Sequence, residues 1–184
     1  MPDPVLTVNA ARDLLSRSGV PETLSAFGPR WVGSIPLDIH GPGADIDICC
    51  SAPGGLDAFR TALESRFGDR YGAIVQDNVH AGEASVIAKF TVEDTPFEVF
   101  GRTRPVETHE SYIHWLAEHR LLALASPRLR EDVRAAKRSG LKTEPAFAHC
   151  LGLGGDPYVE ILKLASPGDA ALSSVLERSG YAPG

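Results

Sequence analysis

The chain has 184 residues with a formal net charge of -6, a length that supports one or two compact layers of helix and sheet and buries about 70% of the unfolded surface on folding. The acidic balance excludes a general polyanion binder unless basic residues gather on one face. Three cysteines, Cys49, Cys50 and Cys150, cannot all pair within the chain. They read as reduced, buried small hydrophobes.

The N-terminus, MPDPVLTVNAARDLLSRSGV, lacks a basic region followed by an apolar core, and no apolar run is long enough to cross a membrane. The expected location is cytoplasmic, with no membrane partner. Val8, Ala11, Leu14 and Leu15 recur at helical spacing, which predicts an amphipathic helix over residues 7–18 before Gly19 and Pro21. A turn or short helix over Pro21 to Phe27 and a brief strand of Arg30, Trp31 and Val32 follow. The strand runs into Gly33-Ser34.

The segment IPLDIHGPG, residues 35–43, holds two prolines and two glycines and reads as a loop. It leads to a strand, ADIDICC, over residues 44–50, whose period of two puts Asp45, Asp47 and Cys49 on one face. Leu56, Phe59, Leu63 and Phe67 mark a helix from about 55 to 67, closed by Gly68. An indistinct strand over residues 72–76 precedes a hairpin of SVIAKFTV (85–92) and PFEVF (96–100), in which Glu98 shares its face with Phe100.

From residue 109 the periodicity is helical. Helices are predicted over 109–124, from Ser126-Pro127 to Lys137, Arg138 and Gly140, from Asp156-Pro157 through VEILKL, and over 169–178. This divides the chain into an α/β core over 1–107 and a helical extension over 108–184, packed on the core. The fold class is α/β of the α+β kind, a mixed sheet with packed helices and a C-terminal helical segment. The helical tail carries apolar stripes that could close its own core or pair with another subunit, so the oligomeric state stays open.

Two carboxylates on one face of an apolar strand are costly unless protonated, paired or bound to a metal. A hard divalent cation such as Mg²⁺ removes that cost, and carboxylates two apart on a strand can grip one ion. If the hairpin strand lies beside residues 44–50, Glu98 joins Asp45 and Asp47. With one or two Mg²⁺, such a trio would orient a nucleoside triphosphate and activate an attacking hydroxyl. Gly33 lets the backbone approach a ligand closely, and its N–H groups with the Ser34 hydroxyl suit phosphate oxygens. Arg102, with Arg104, and Lys142 are candidate phosphate or acceptor contacts, each weighed against a solvated basic face. Lys89 across the hairpin from Glu98 either neutralises phosphate charge or is an exposed strand lysine.

Other features carry less chemistry. Steps of five between His109, His114 and His119 do not stack on one helix face. Cys49 lacks a local basic partner for a thiolate, Asp38 and His40 read as loop residues, and LGLGG (151–155) lacks the context of a phosphate loop.

The run GSIPLDIHGPGADIDI matches the G-S, spacer, D-x-D signature of the polymerase-β-like nucleotidyltransferase superfamily, and PFEVF resembles its third-carboxylate strand. GSIPLDIHGPGADIDICC, FEVFGRTRPVE and GLKTEPAFAHCLGLGGDPY together resemble a bacterial family of small predicted nucleotidyltransferases, DUF4269, over about residues 30–160. The resemblance implies the nucleotidyltransferase fold. It implies Gly33 and Ser34 at phosphates, Asp45 and Asp47 on the metals, and Glu98 completing the metal site and polarising the acceptor hydroxyl. Pro36 and Pro42 depart from the superfamily by disfavouring the short helix after the glycine-serine turn. The expected activity is Mg²⁺-dependent transfer of a nucleoside monophosphate from an NTP to a small-molecule or protein hydroxyl. A tRNA end becomes an acceptor only if the helical tail presents its basic residues together. The alternatives are a noncatalytic nucleotide- or partner-binding protein on the same fold and a metal-dependent phosphohydrolase.

Overall fold

The computed structural model describes residues 5–80 and 82–183. The chain divides into two compact units, Met1–Ile35 with Pro42–Tyr112 and Pro36–Gly41 with Ile113–Gly184.

In the first unit, helix α1 (Val8–Ser18) starts at Thr7, whose hydroxyl accepts the Ala10 N–H at 3.2 Å. A short α2 (Val20–Thr23), a single turn at Ser25–Phe27 and strand β1 (Arg30–Val32) follow as the sequence predicts. Strand β2 (Ile46–Ser51) is next, then α3 (Leu56–Leu63). That helix does not close at Gly68: a wider turn over Glu64–Gly68 carries it into α4 (Asp69–Tyr71), and it stops at Gly72, whose φ of 64° gives the left-handed cap. Strands β3 (Ile74–His80), β4 (Glu83–Val92) and β5 (Thr95–Arg102) complete the unit's sheet.

The sheet order is β1-β2-β5-β4-β3. Strands β2 and β5 are parallel and the other neighbours antiparallel, so the sheet is mixed. The β4–β5 turn has positive φ at Glu93 and Asp94 (47° and 63°), the hand that matches strand twist in a tight hairpin. Ile46, Ile48 and Cys50 of β2, Phe97 and Val99 of β5, and Val86 and Ala88 of β4 face α1 and α3, and bury against Leu14, Phe59 and Leu63. Phe67, Tyr71, Phe90 and Phe97 extend this core as a run of stacked rings. Cys50 lies in this layer while Cys49 points the other way, as the period of two requires.

The second unit holds most of α5 (Glu110–Leu124), then α6 (Pro127–Arg138), α7 (Thr143–Leu151), α8 (Pro157–Lys163) and α9 (Asp169–Arg178). Its core joins Leu121, Leu129, Val133, Phe147, Ile161 and Leu172. The punctuated segment Pro36–Gly41 belongs to it: Leu37 and Ile39 are buried there, and the Arg130 guanidinium donates to the Leu37 carbonyl. Arg134 donates to the Asp38 carbonyl at 2.7 Å and pairs with its carboxylate at 2.5 Å. Lys137 donates to Thr143 at 2.6 Å, and Arg128 pairs with Asp132 at 3.3 Å. The basic residues of α6 are thus largely engaged within their own unit rather than forming a bare cationic face.

Glu118 on α5 is 3% exposed, and its Oε1 has no hydrogen-bond partner among the described residues. Burial pushes its carboxyl well above the usual carboxylate range; Glu144 adds to the rise and Lys137 opposes it. A raised carboxyl favours the fold fully below its unfolded value and loses that contribution as pH rises toward the folded one. Glu118→Gln removes the titration. Its melting temperature should exceed that of the wild type at about pH 8 and converge with it near about pH 4; parallel curves at both pH values would rule out the buried neutral acid.

Candidate active site

The polar face of the sheet is built by register. Asp47 on β2 is the direct partner of Glu98 on β5, of Val32 on β1 through the other edge, and Glu98 is in turn the partner of Lys89 on β4. Side chains of directly paired residues project to the same face, so Asp47, Glu98 and Lys89 stand in a row across three strands. Asp45 precedes β2 rather than lying in it, and is exposed. The predicted strand start at residue 44 is therefore two residues early.

Gly33 follows β1 with a φ of 80°, and a Cβ on it would lie 2.1 Å from Asp47 Oδ2. The glycine of the G-S pair and the second carboxylate of D-x-D are therefore in direct apposition, and no other residue fits between them. Ser34, half-buried, follows in the same turn.

Lys89 Nζ lies 2.7 Å from Glu98 Oε2, with the lysine side chain 65% exposed and the glutamate 29% exposed. The Lys89 ammonium is held above its ordinary value by the hydrogen bond and charge of Glu98, and the fields of Asp45 and Asp47 act in the same direction. Asp45, Lys89 and Glu98 line a cleft of about 300 Å³ with Tyr71, Ile74 and Phe97.

Among the described residues, no three His, Cys, Asp or Glu are gathered so as to hold one metal ion. The donors nonetheless fit a hard divalent cation. They are carboxylate oxygens on one face, Gly33 lets Asp47 Oδ2 stand where a Cβ would lie, and one cation, the Lys89 ammonium, is already seated on Glu98.

At the other end of β5, Arg102 is 2% exposed. Its guanidinium pairs with Glu83 at 3.0 Å and Glu110 at 2.6 Å, and Arg104 pairs with the same two carboxylates at 2.9 and 2.7 Å. Burial opposes ionisation of Glu110, but a bond from its own N–H and the charges of Arg104 and Arg102 hold it below the usual range. Arg102 is therefore enclosed by carboxylates, and a phosphate would reach it only by displacing them. The bland reading of these arginines as a solvated face fails for Arg102; the acids that enclose it, far apart in sequence, gave no local signal.

His109 is fully buried and stacks edge-on against Phe100 at 5.8 Å, with its Nε2–H donating to the Arg104 carbonyl at 3.1 Å. Burial lowers its pKa, so the ring is neutral and structural. Cys49 Sγ contacts Ser111 Oγ at 3.0 Å, and burial first, with Asp47 and Glu98 adding, pushes the thiol up to about 11, unsuited to nucleophilic work. Lys142 lies in the second unit as the exposed residue before α7.

Gly33→Ala should destabilise the protein by about 2–4 kcal/mol, from overpacking and left-handed strain together. In an Asp47→Ala background, where only the Cβ contact at 3.1 Å remains, the cost should fall toward the backbone part, about 1–2 kcal/mol. Equal costs in the two backgrounds, in denaturant unfolding, would show that the glycine and the carboxylate are not coupled.

No curated protein matches the chain in sequence. Among solved structures, it is similar to the GLD-2/RNP-8 complex, with a TM-score of 0.53 at 12% identity over 82% of this chain and 61% of that one. It is similar also to the Cid1 poly(U) polymerase with MgGTP bound (TM-score 0.53, 12% identity, 83% of this chain and 46% of that one). A cytoplasmic RNA terminal U-transferase gives the same TM-score, 0.53, at 11% identity over 83% and 46%. The chain thus spans 46–61% of the length of these proteins, and at such identities what they share with it is the nucleotidyltransferase fold. Residues 13–164 match the family described as Domain of unknown function (DUF4269), and the chain belongs to that family.

Proposed function

We propose that the protein transfers a nucleoside monophosphate from an NTP to a small-molecule or protein hydroxyl, with Mg²⁺ and with release of pyrophosphate. The observation that carries this reading is the pairing of Asp47 with Glu98 on adjacent parallel strands, with Gly33 packed on Asp47, in a chain of nucleotidyltransferase fold.

In this reading Asp45, Asp47 and Glu98 would hold one or two Mg²⁺, which when bound supply charge stabilisation at the transferring phosphoryl group. Gly33 N–H and the Ser34 hydroxyl donate to oxygens of the β- and γ-phosphates and orient the triphosphate. Glu98 accepts a hydrogen bond from the acceptor hydroxyl and takes its proton as the oxygen attacks the α-phosphorus. The bond from the α-phosphorus to the bridging oxygen of the β-phosphate breaks, and pyrophosphate carries away the electron pair. The proton passes from Glu98 to water. Arg102, enclosed by Glu83 and Glu110, serves as a brace for β5 rather than as a ligand.

The acceptor class follows from charge. The net charge of -6 and the engagement of Arg128, Arg130, Arg134 and Lys137 within their own unit leave little for a nucleic-acid backbone to bind. The similar solved proteins include an RNA terminal U-transferase, so RNA ends belong among the acceptors assayed.

The test is turnover of α-labelled NTPs by the purified chain with Mg²⁺, beside Asp45→Asn/Asp47→Asn. Label transfer that falls at least about a hundredfold in the variant, the scale of losing a group that stabilises transition-state charge, is expected. Label released as free monophosphate with no labelled acceptor would favour the phosphohydrolase, and metal-dependent binding without turnover the noncatalytic protein. Failure of the folded chain to bind any of the four NTPs would overturn the proposal.

A further inference from the structure

Among the described residues, Lys89 is the cation paired with the acidic row, and the hairpin sets its backbone position opposite Glu98. It is the direct antiparallel partner of Glu98, and the 2.7 Å contact to Oε2 is made across the shortest path between neighbouring strands. A cross-strand pair with the lysine 65% exposed contributes little to folding stability. The same contact has a large consequence for ligands. The ammonium occupies one carboxylate oxygen and puts a positive charge where a divalent cation on Glu98 would sit, so the two repel. Its flexible four-carbon stem lets the ammonium swing away, toward the cleft that Lys89 and Glu98 line with Asp45.

We propose that Lys89 is a positioning residue that exchanges partners: it neutralises and holds Glu98 before ligands bind, yields Glu98 to the divalent cation, and then pairs with the triphosphate. The inference rests on the metal-site reading above and deepens it. It makes cation and nucleotide binding mutually dependent, because the cation must displace an ammonium that the nucleotide's phosphates can re-pair. A purely structural lysine would shift neither affinity.

The experiment measures Mn²⁺ binding by electron paramagnetic resonance, first alone and then with a non-hydrolysable NTP analogue, in the wild type, Lys89→Met, Lys89→Arg and Glu98→Gln. Without nucleotide, Lys89→Met should bind Mn²⁺ about tenfold more tightly than the wild type, from loss of one nearby positive charge. With Mn²⁺ saturating, the same variant should bind the analogue about tenfold more weakly, from loss of one charge-assisted phosphate contact. Lys89→Arg, which keeps the charge, should stay close to the wild type in both.

If the wild type binds Mn²⁺, Glu98→Gln loses it and Lys89→Met binds no more tightly, the Lys89 inference is wrong while the metal-site reading stands. If Lys89→Met tightens Mn²⁺ but leaves the analogue's affinity unchanged, the hand-over to phosphate is wrong. If neither the wild type nor Lys89→Met binds Mn²⁺, the metal-site reading itself fails and takes the inference with it.

Discussion

The parallel pairing of β2 with β5 is the constraint from which the first unit's chemistry follows. Its register puts Ile46, Ile48 and Cys50 with Phe97 and Val99 on the helix-covered face, and Asp47 with Glu98 on the other. A slip of one residue in either strand would send a carboxylate into a core of phenylalanine and isoleucine, where an unpaired charge is costly by several kcal/mol. The hydrophobic pattern therefore fixes the carboxylates' positions as firmly as it fixes the core. Antiparallel β1 and β4, on the two sides, then bring Gly33 to Asp47 and Lys89 to Glu98 without any further device.

Charge is distributed unevenly along that face. Toward the start of β2 and β5 stand Asp45, Asp47 and Glu98 with one lysine, whereas the far end holds Arg102 and Arg104 already matched by Glu83 and Glu110. Cys49 and Phe100, paired midway, separate the two groups. A buried arginine with two carboxylates at 2.6–3.0 Å is a closed arrangement, since only removal of both acids would strand its charge in a dry setting. The acidic end is more open: the Lys89 side chain that pairs with Glu98 is 65% exposed, so a cation from solution can compete for that carboxylate.

The period-two strands and the helical stripes made most of the fold legible, because in each the buried face alternates at a fixed step. The convergence of Asp47 and Glu98 was legible for the same reason, once the hairpin was set beside the D-x-D strand. Other features had no local signature. β3 reads poorly because Gln76, Asp77 and Asn78 sit on an edge strand, where polar residues are tolerated on both faces. Helix α7 hides behind Pro145, which looks like a breaker but falls in the first turn, where no backbone N–H is needed. Gly68 looked like a stop, yet the wider turn carries the chain past it. Alternation alone extends the strand to Asp45, whereas pairing begins only at Ile46. The burial of Arg102 depends on Glu83 and Glu110, partners that no local pattern reveals.

The exposure of the acidic row bears on how the proposed chemistry would run. A cation held by partly exposed carboxylates, one of them already paired with a lysine, competes with water and with Lys89, so its affinity without nucleotide is expected to be modest. Mg²⁺ gives up its hydration shell reluctantly and is commonly bound through one or two carboxylates together with substrate phosphates. On the proposed reading the cation would thus be held weakly until the triphosphate joins it, and each would strengthen the binding of the other.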